Sequence, residues 1–264
     1  MKSVAIIGAG PGGLVAAKTF LQTKKFAVTI YEKNATLGGI WAIEENTTDA
    51  WLTPSTPTNL SRYTVGFSGL DWNGVDLETT SYGTKEREWS ASAPMFPKAW
   101  HVKRYLAAYQ RKYVPEDVLH FDRKVILIDR VVAGGSVHWD VTTTLNGHSA
   151  TVTASFDYVI IASGFFSEPK ALGGRHVDSA SEVKAIHTSQ YRGLEDLFSP
   201  TRPGPRKNIL VYGGGNSSGE TAAAIAMHLS DSQWSPNKAR QELYKDCKVI
   251  HVMPRPLYTL PPFV

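Results

Sequence analysis

The chain has 264 residues, 42% of them hydrophobic and 20% charged, which suits one large globular domain or two smaller ones. Its net charge of +4 is mild and its basic residues are scattered, which argues against a nucleic-acid partner. A single cysteine, Cys247, excludes an internal disulfide framework and any CxxC redox pair, and no apolar run approaches the ~18 residues of a membrane helix. The first strand begins within three residues of Met1 with no charged n-region or cleavage site before it, so a cytoplasmic location without membrane association is expected.

Taken in order, the chain opens with an apolar run, Val4 to Ile7, that enters a glycine-dense turn and then an alanine-rich helical pattern. Gly8, Gly10 and Gly13 stand at the G-x-G-x-x-G spacing, with Pro11 and Gly12 between them. Such a turn allows a sharp change of direction at the first glycine. It lets the backbone approach a pyrophosphate at the second and lets the helix pack on the strand at the third. The strand before and helix after are the context that this motif requires. Phe26 to Glu32 reads as a second buried strand, completing a βαβ unit. Glu32 lies 24 positions beyond Gly8, close to the ~20-residue offset at which an acid takes ribose hydroxyls. An isolated glutamate there would be a solvated strand end; paired with the glycine turn, the ribose role is preferred.

Gly38, Gly39, Ile40 and Trp41 suggest backbone passing close to something flat, or else a turn followed by a core tryptophan. Residues 46–98 carry little periodicity and include Thr58-Asn59-Leu60, Phe67 and Asp71-Trp72. A stretch this long without regular structure is expected to be functional or wrapped over a ligand. Asn59, beside Thr and Pro, is also an ordinary turn residue. Val102, Tyr105, Leu106 and Tyr109 line one face of a helix predicted over His101 to Tyr113. Val125 to Ile128, Val137 to Val141 and Ala150 to Ala154 read as a small β-meander, with Asn146-Gly147 as the hairpin signal between the last two. Tyr158 to Gly164 is a buried strand ending in small residues.

The segment from Asn208 to Ala222 repeats the opening design of strand, glycine turn and alanine-rich helix. Gly213 and Gly215 fit the first two glycines, Asn216 and Ser217 follow, and Ser218 takes the third position, where a small side chain suffices. The next strand, Lys248 to Met253, ends at Pro254-Arg255. An arginine in place of an acid at that strand end suits a 2′-phosphate and hence NADP(H). The alternative for Arg255 is an exposed loop charge. Gly215 to Gly219 also reads G-x-S-x-G, a hydrolase elbow. Only 45 residues follow Gly219, and Asp246 and His251 there flank or enter one strand, so no separate triad loops are available. The eight histidines show no metal-ligand spacing; His187 and His251 are expected to be packed or hydrogen-bonded.

Taken together, these segments resemble the flavin-containing monooxygenase family, particularly fungal members acting on secondary metabolites. The lack of a CxxC pair sets the chain apart from flavin-dependent disulfide reductases. The resemblance implies that Gly8, Gly10, Pro11, Gly12, Gly13, Glu32 and Lys33 hold the ADP half of FAD. It implies that Gly39, Ile40 and Trp41 lie along the flavin and that Val125 touches the adenine through its backbone; from its residues alone Val125 is equally plain sheet core. The family's L-x-T-N segment is matched at Asn59 but has Thr56 in place of its leucine, and it implies that Asn59 hydrogen-bonds near the oxygen-reactive face of the flavin. Gly213, Gly215, Asn216, Ser217 and Ser218 match the NADPH segment. The strand ending at Gly164 resembles the segment that closes over the pyrophosphate, with Glu168-Pro169 following. The fingerprint F-x-G-x-x-x-H-x-x-x-Y keeps His187 and Tyr191 but has Ser181 and Val183 at its Phe and Gly positions.

The expected fold is therefore α/β. A Rossmann-like FAD-binding domain with a small meander spans residues 1–168, and a second, partial Rossmann-like NADPH-binding domain spans residues 169–264. The expected activity is an FAD-dependent, NADPH-using monooxygenase placing one atom of O2 on a small molecule at nitrogen, sulfur or a ketone carbon, with no metal ion. A flavin-dependent oxidase, isomerase or cyclase, or a non-enzymatic flavin-binding subunit, are the alternatives. Family members continue past the second strand of the NADPH domain. A truncated or natively short protein, a complementing polypeptide and a homodimer all stand as explanations, association with a second chain being preferred.

Overall fold

The N-terminal apolar run forms β1 (Lys2–Ile7), and its side chains divide between two cores. Val4 and Ile6 enter the larger hydrophobic cluster, whereas Ala5 and Ile7 belong to a smaller one. This period-two division is what a strand covered on both faces produces. The computed structural model describes residues 1–44, 52–77, 93–146, 148–166, 184–198 and 208–254. The chain divides into two compact units, Met1–Glu168 and Pro169–Val264.

In the first unit β1 pairs in parallel with β2 (Phe26–Tyr31) on one side. The crossover between them is helix α1 (Pro11–Gln22). Helix α2 (Ala99–Tyr113) packs beside α1, and Val102, Tyr105, Leu106 and Tyr109, the apolar face expected from the sequence, are all buried. A short β3 (Leu119–His120), which carries too few residues to announce itself, pairs in parallel with β2. The meander is β4 (Arg123–Ala133), β5 (Ser136–Leu145) and β6 (Thr151–Phe156), all antiparallel. Strand β7 (Tyr158–Ile161) returns to the other side of β1, giving the order β3-β2-β1-β7; at the end of that order Tyr158 and Ile161 are exposed, so it is not the buried strand expected from the sequence. Val141 and Phe156 of the meander pack on Ala5, so the meander covers one face of the sheet while α1 and α2 cover the other.

Part of the long aperiodic stretch, within residues 52–77, is tied to helix α2. Trp72 is buried and stacks on Tyr105 at 4.4 Å between centroids, while its Nε1 donates to the Val65 carbonyl. The Tyr105 hydroxyl donates to the Leu70 carbonyl at 2.8 Å and accepts from the Phe67 N–H at 2.7 Å. Trp72 and Phe67 are thus core that fastens an irregular segment to α2, whereas Tyr63 is exposed.

In the second unit β8 (Asn208–Tyr212) pairs in parallel with β9 (Lys248–Val252). They are joined through α3 (Asn216–Gln233) and the short α4 (Lys238–Tyr244). Ile209 and Val211 pack against Ile225, Leu229 and Tyr244, with Cys247 at the edge of the same cluster. No helix among the described residues is long and apolar enough to cross a membrane. Gly147, Glu168, Pro169, Ser181, Val183 and Arg255 lie outside the described residues.

Leu106 is 2% exposed, in the cluster shared by α2 and the parallel sheet. Leu106→Ala is expected to cost about 2–5 kcal/mol of unfolding free energy, read as a lower urea midpoint with the slope unchanged.

Candidate functional site

The strand-to-helix turn after β1 is set by two contacts that only glycine allows. Gly8 has φ +105°, and a Cβ there would meet the Ala162 carbonyl oxygen at 2.6 Å. A Cβ on Gly13 would lie 1.9 Å from the Gly8 carbonyl oxygen, so the first turn of α1 rests directly on the end of β1. Gly10 caps α1 without a side-chain hydrogen bond, Pro11 occupies the first turn, and no acidic residue stands there. The Gly12 and Gly13 N–H groups therefore have no intrahelical partner at the positive end of the helix dipole, the arrangement that receives a phosphate.

Glu32 is not a solvated strand end. It lies one residue past β2, is 4% exposed, and accepts from the Ala9 N–H at 2.8 Å and the Asn34 N–H at 3.0 Å. A carboxylate has lone pairs beyond these two, so it holds the glycine turn while retaining acceptor capacity for a hydroxyl. Lys33 is exposed beside it, and its carbonyl accepts from Asn146 Nδ2 at the β5–β6 connection. The Gly39–Trp41 segment forms a 3-10 turn packed against the same place. The Gly38 N–H donates to the Ala9 carbonyl at 2.9 Å, and Gly39 packs backbone to backbone against Gly10. Ile40 is partly exposed and Trp41 packs on the large cluster.

A groove of about 370 Å³ lies beside this turn, lined by Ile7, Val125, Ile126, Leu127, Ile128, Ile161 and Ser163. Ile7 and Ile161 are the last residues of β1 and β7, and the chain leaves β1 toward opposite sides for β2 and β7. Ligands of open α/β sheets bind at such a switch point, at the carboxyl ends of the strands. Val125 is thus both a partly buried residue of the smaller core and a wall of the groove. The β4–β5 register shifts between Val125 and Leu127, which leaves Ile126 outside the pairing at the groove. A single-residue bulge leaves no signature in an apolar run, so neither Ile126 nor Ser163 could be singled out from the sequence.

Asn59 is exposed on a turn closed by Thr58, whose hydroxyl donates to the Leu60 carbonyl at 2.7 Å. The turn is anchored to the start of α2, because Pro57 bridges Lys98 and the Thr58 N–H donates to the Pro97 carbonyl at 2.8 Å. The Gly39–Trp41 turn also packs on α2, and Lys103 of that helix pairs with Glu44. Helix α2 starts at Ala99 rather than His101 because His101 reaches back, its Nδ1 accepting from the Lys98 N–H at 2.9 Å. Burial, then the cations of Lys98 and Arg104, push the His101 imidazole down to about 4.

The second cradle repeats the first with one change. Gly213 has φ +144°, and Ser218 takes the third glycine position with its Cβ 3.1 Å from where a Gly213 Cβ would be. The Ser218 hydroxyl donates to the Gly215 carbonyl at 2.7 Å, which keeps a buried side chain satisfied. Gly215 caps α3 without a side-chain hydrogen bond and no acid stands in its first turn, where Asn216 and Ser217 begin the helix. His251 Nε2 donates to the Gly213 carbonyl at 2.8 Å, so this histidine braces the turn and forms no pair with Ser217. Tyr191 is buried with its hydroxyl 2.8 Å from His228 Nδ1, and burial raises its phenol. His187 Nδ1 accepts from the Ser189 N–H at 3.2 Å in a local turn.

The family model described as pyridine nucleotide-disulphide oxidoreductase matches residues 2–264. The thiol-specific monooxygenase of Saccharomyces cerevisiae is 27% identical over 264 residues, covering 94% of this chain and 54% of that protein. Flavin-containing monooxygenase 1 of Mus musculus is 29% identical over 241 residues, covering 87% of this chain and 39% of that protein. The structure of S-allyl-L-cysteine S-oxygenase from Allium sativum matches with a TM-score of 0.65 at 24% identity, over 86% of this chain and 49% of that one. The chain spans about half the length of the curated relatives it matches. The Rossmann-type α/β fold is shared with these structures.

Gly13→Ala forces α1 off β1 and is expected to cost about 2–4 kcal/mol, measured by denaturant unfolding. His101 titrates at about 4 in the folded chain against an ordinary 6.5, so the unfolded chain takes up the proton first. Its contribution is complete above about 6.5 and is lost as pH falls toward about 4. Thermal melts should show the wild type losing stability relative to His101→Gln across that window.

Proposed function

The chain belongs to the pyridine nucleotide-disulphide oxidoreductase family and is related to the flavin-containing monooxygenases, and from that premise we propose that it binds FAD and NADPH and serves a monooxygenase reaction on a small molecule. The observation that carries the reading is the pair of strand–turn–helix cradles, each with a helix N-terminus left without a side-chain cap or an acid. In the first, Gly8 and Gly13 let backbone pack directly on backbone, so α1 begins at the very end of β1 and its uncapped N-terminus stands where a pyrophosphate would be received.

In this reading Gly10, Pro11, Gly12 and Gly13 receive the FAD pyrophosphate on backbone N–H groups. The buried Glu32 carboxylate takes the ribose hydroxyls with Lys33 at the rim, and Val125 meets the adenine in the groove. Gly39, Ile40, Trp41 and Asn59 attend the flavin ring. Gly213, Gly215, Asn216, Ser217 and Ser218 receive the NADPH pyrophosphate, and Arg255 selects its 2′-phosphate. FAD supplies the redox and oxygen chemistry when bound, with NADPH as its reductant. The protein's share is to hold each cofactor by backbone dipoles and to orient the ring through Asn59; no side chain is required as a nucleophile. The names of the yeast and garlic relatives favour a soft sulfur atom as the acceptor of oxygen, ahead of nitrogen or a ketone carbon.

The test is the visible spectrum of the purified chain titrated with FAD, then with NADPH or NADH under air and without it. A yellow protein bleached by NADPH in preference to NADH, which adds one oxygen to a thioether by mass, is the expected result. A chain that takes up no FAD overturns the reading, and bleaching by neither nicotinamide moves it to an oxidase, an isomerase or a flavin-binding subunit. Ser218→Leu crowds Gly213 and should slow reduction by NADPH roughly tenfold or more at unchanged flavin content, since overpacking costs at least ~1 kcal/mol.

A further inference from the structure

We propose that His101 is a positioning residue for Asn59, acting through the backbone strip that joins the Asn59 turn to α2. The inference rests on the reading of Asn59 as a flavin-facing group. The Asn59 side chain makes no hydrogen bond to any described residue, so its pose is decided by its backbone. That backbone is one half of a short two-stranded strip. The Thr58 N–H donates to the Pro97 carbonyl and the Ala99 N–H to the Thr56 carbonyl, each at 2.8 Å, flanking the Pro57–Lys98 bridge. The Arg62 N–H donates to the Met95 carbonyl at 2.7 Å beyond the turn.

In such an antiparallel bridge the flanking residues make the cross-strip bonds, and the bridged residue turns its own N–H and C=O away. Lys98 turns them toward α2. Its carbonyl accepts from the Val102 N–H at 3.1 Å, and its N–H donates to His101 Nδ1 at 2.9 Å. Lys98 is also the N-cap, where Ser, Thr, Asp or Asn usually stands, and an ammonium has no acceptor to offer the helix. The reciprocal half of a capping box remains, with His101 in the place usually held by Glu or Gln. His101 is 7% exposed and its ring lies 3.8 Å from that of Trp100, which in turn sits under the Arg104 guanidinium. The imidazole is therefore held in one orientation. Kept neutral by burial and by Lys98 and Arg104, it offers Nδ1 as an acceptor at ordinary pH. Removing that acceptor leaves the Lys98 N–H without its partner and frees the strip to tilt where it enters the helix.

The test uses the full chain as wild type, His101→Gln, His101→Phe, His101→Ala, Asn59→Ala and the His101→Phe/Asn59→Ala double variant. Without cofactor, amide exchange of Thr58 and Ala99 should accelerate roughly tenfold or more in His101→Phe and His101→Ala, as loss of a cap implies. Amides of β1 and β2 should be unchanged, and His101→Gln should restore slow exchange. Unchanged Thr58 and Ala99 in both deletions, or no rescue by Gln, overturns the proposal. With FAD bound, His101→Phe and Asn59→Ala should displace the visible flavin band alike, and the double variant no further. Additive displacements would assign His101 a general structural role and overturn it as well. A wild type that binds no FAD removes the flavin reading of Asn59, whereas the exchange result separately decides whether His101 sets the turn.

Discussion

The near-contact of Gly13 with the Gly8 carbonyl is the constraint on which the first unit depends. A helix can rest this closely on the end of a strand only where the helix residue carries no Cβ to strike the carbonyl at the strand's end. Once α1 is placed, its face packs on Val4, Ile6 and Ile30, and α2 completes the same cluster. The turn that results leaves helix N–H groups uncapped, because the residues that make it tight are also those that cannot cap it. The same compact geometry supports the fold and opens the anion site.

Buried polar groups hold this turn in place. The Glu32 carboxylate accepts the Ala9 N–H from below, and the Ala9 carbonyl accepts the Gly38 N–H from the side. A backbone that departs from regular structure loses ladder partners and must find others when buried. Here those partners come from the end of β2 and from a 3-10 turn. The second cradle shows the tolerance of the design. Ser218 fits where a glycine is expected because its hydroxyl turns back onto the Gly215 carbonyl, and His251 braces Gly213 from β9.

Helix α2 gathers the parts that the glycine turns do not hold. It binds the irregular residues 52–77 through Trp72 and Tyr105, the Gly39–Trp41 turn through packing and Lys103–Glu44, and the Asn59 turn through Lys98. The long aperiodic stretch carries no local period from which the packing of its aromatics could be read. Trp72 and Phe67 are ordered by contacts with Tyr105 of a helix far along the chain, Phe67 lying 38 residues from it, which no local window contains.

The sequence by itself determined the two βαβ-type turns, the buried face of α2, the meander and the α/β class. Each is written in local terms, as glycine spacing, apolar period or a turn dipeptide, and local sterics dictate the outcome. Tertiary structure alone decided that Glu32 is buried beneath the glycine turn, that Ile126 leaves the β4–β5 register, that Trp72 is core and that His101 caps α2 for a lysine. For Glu32, Trp72 and His101 a polar or aromatic side chain has several comparable partners, and its choice follows from which backbone groups are left unpaired once the sheet has formed; for Ile126 the cross-strand register, which an apolar run does not encode, decides.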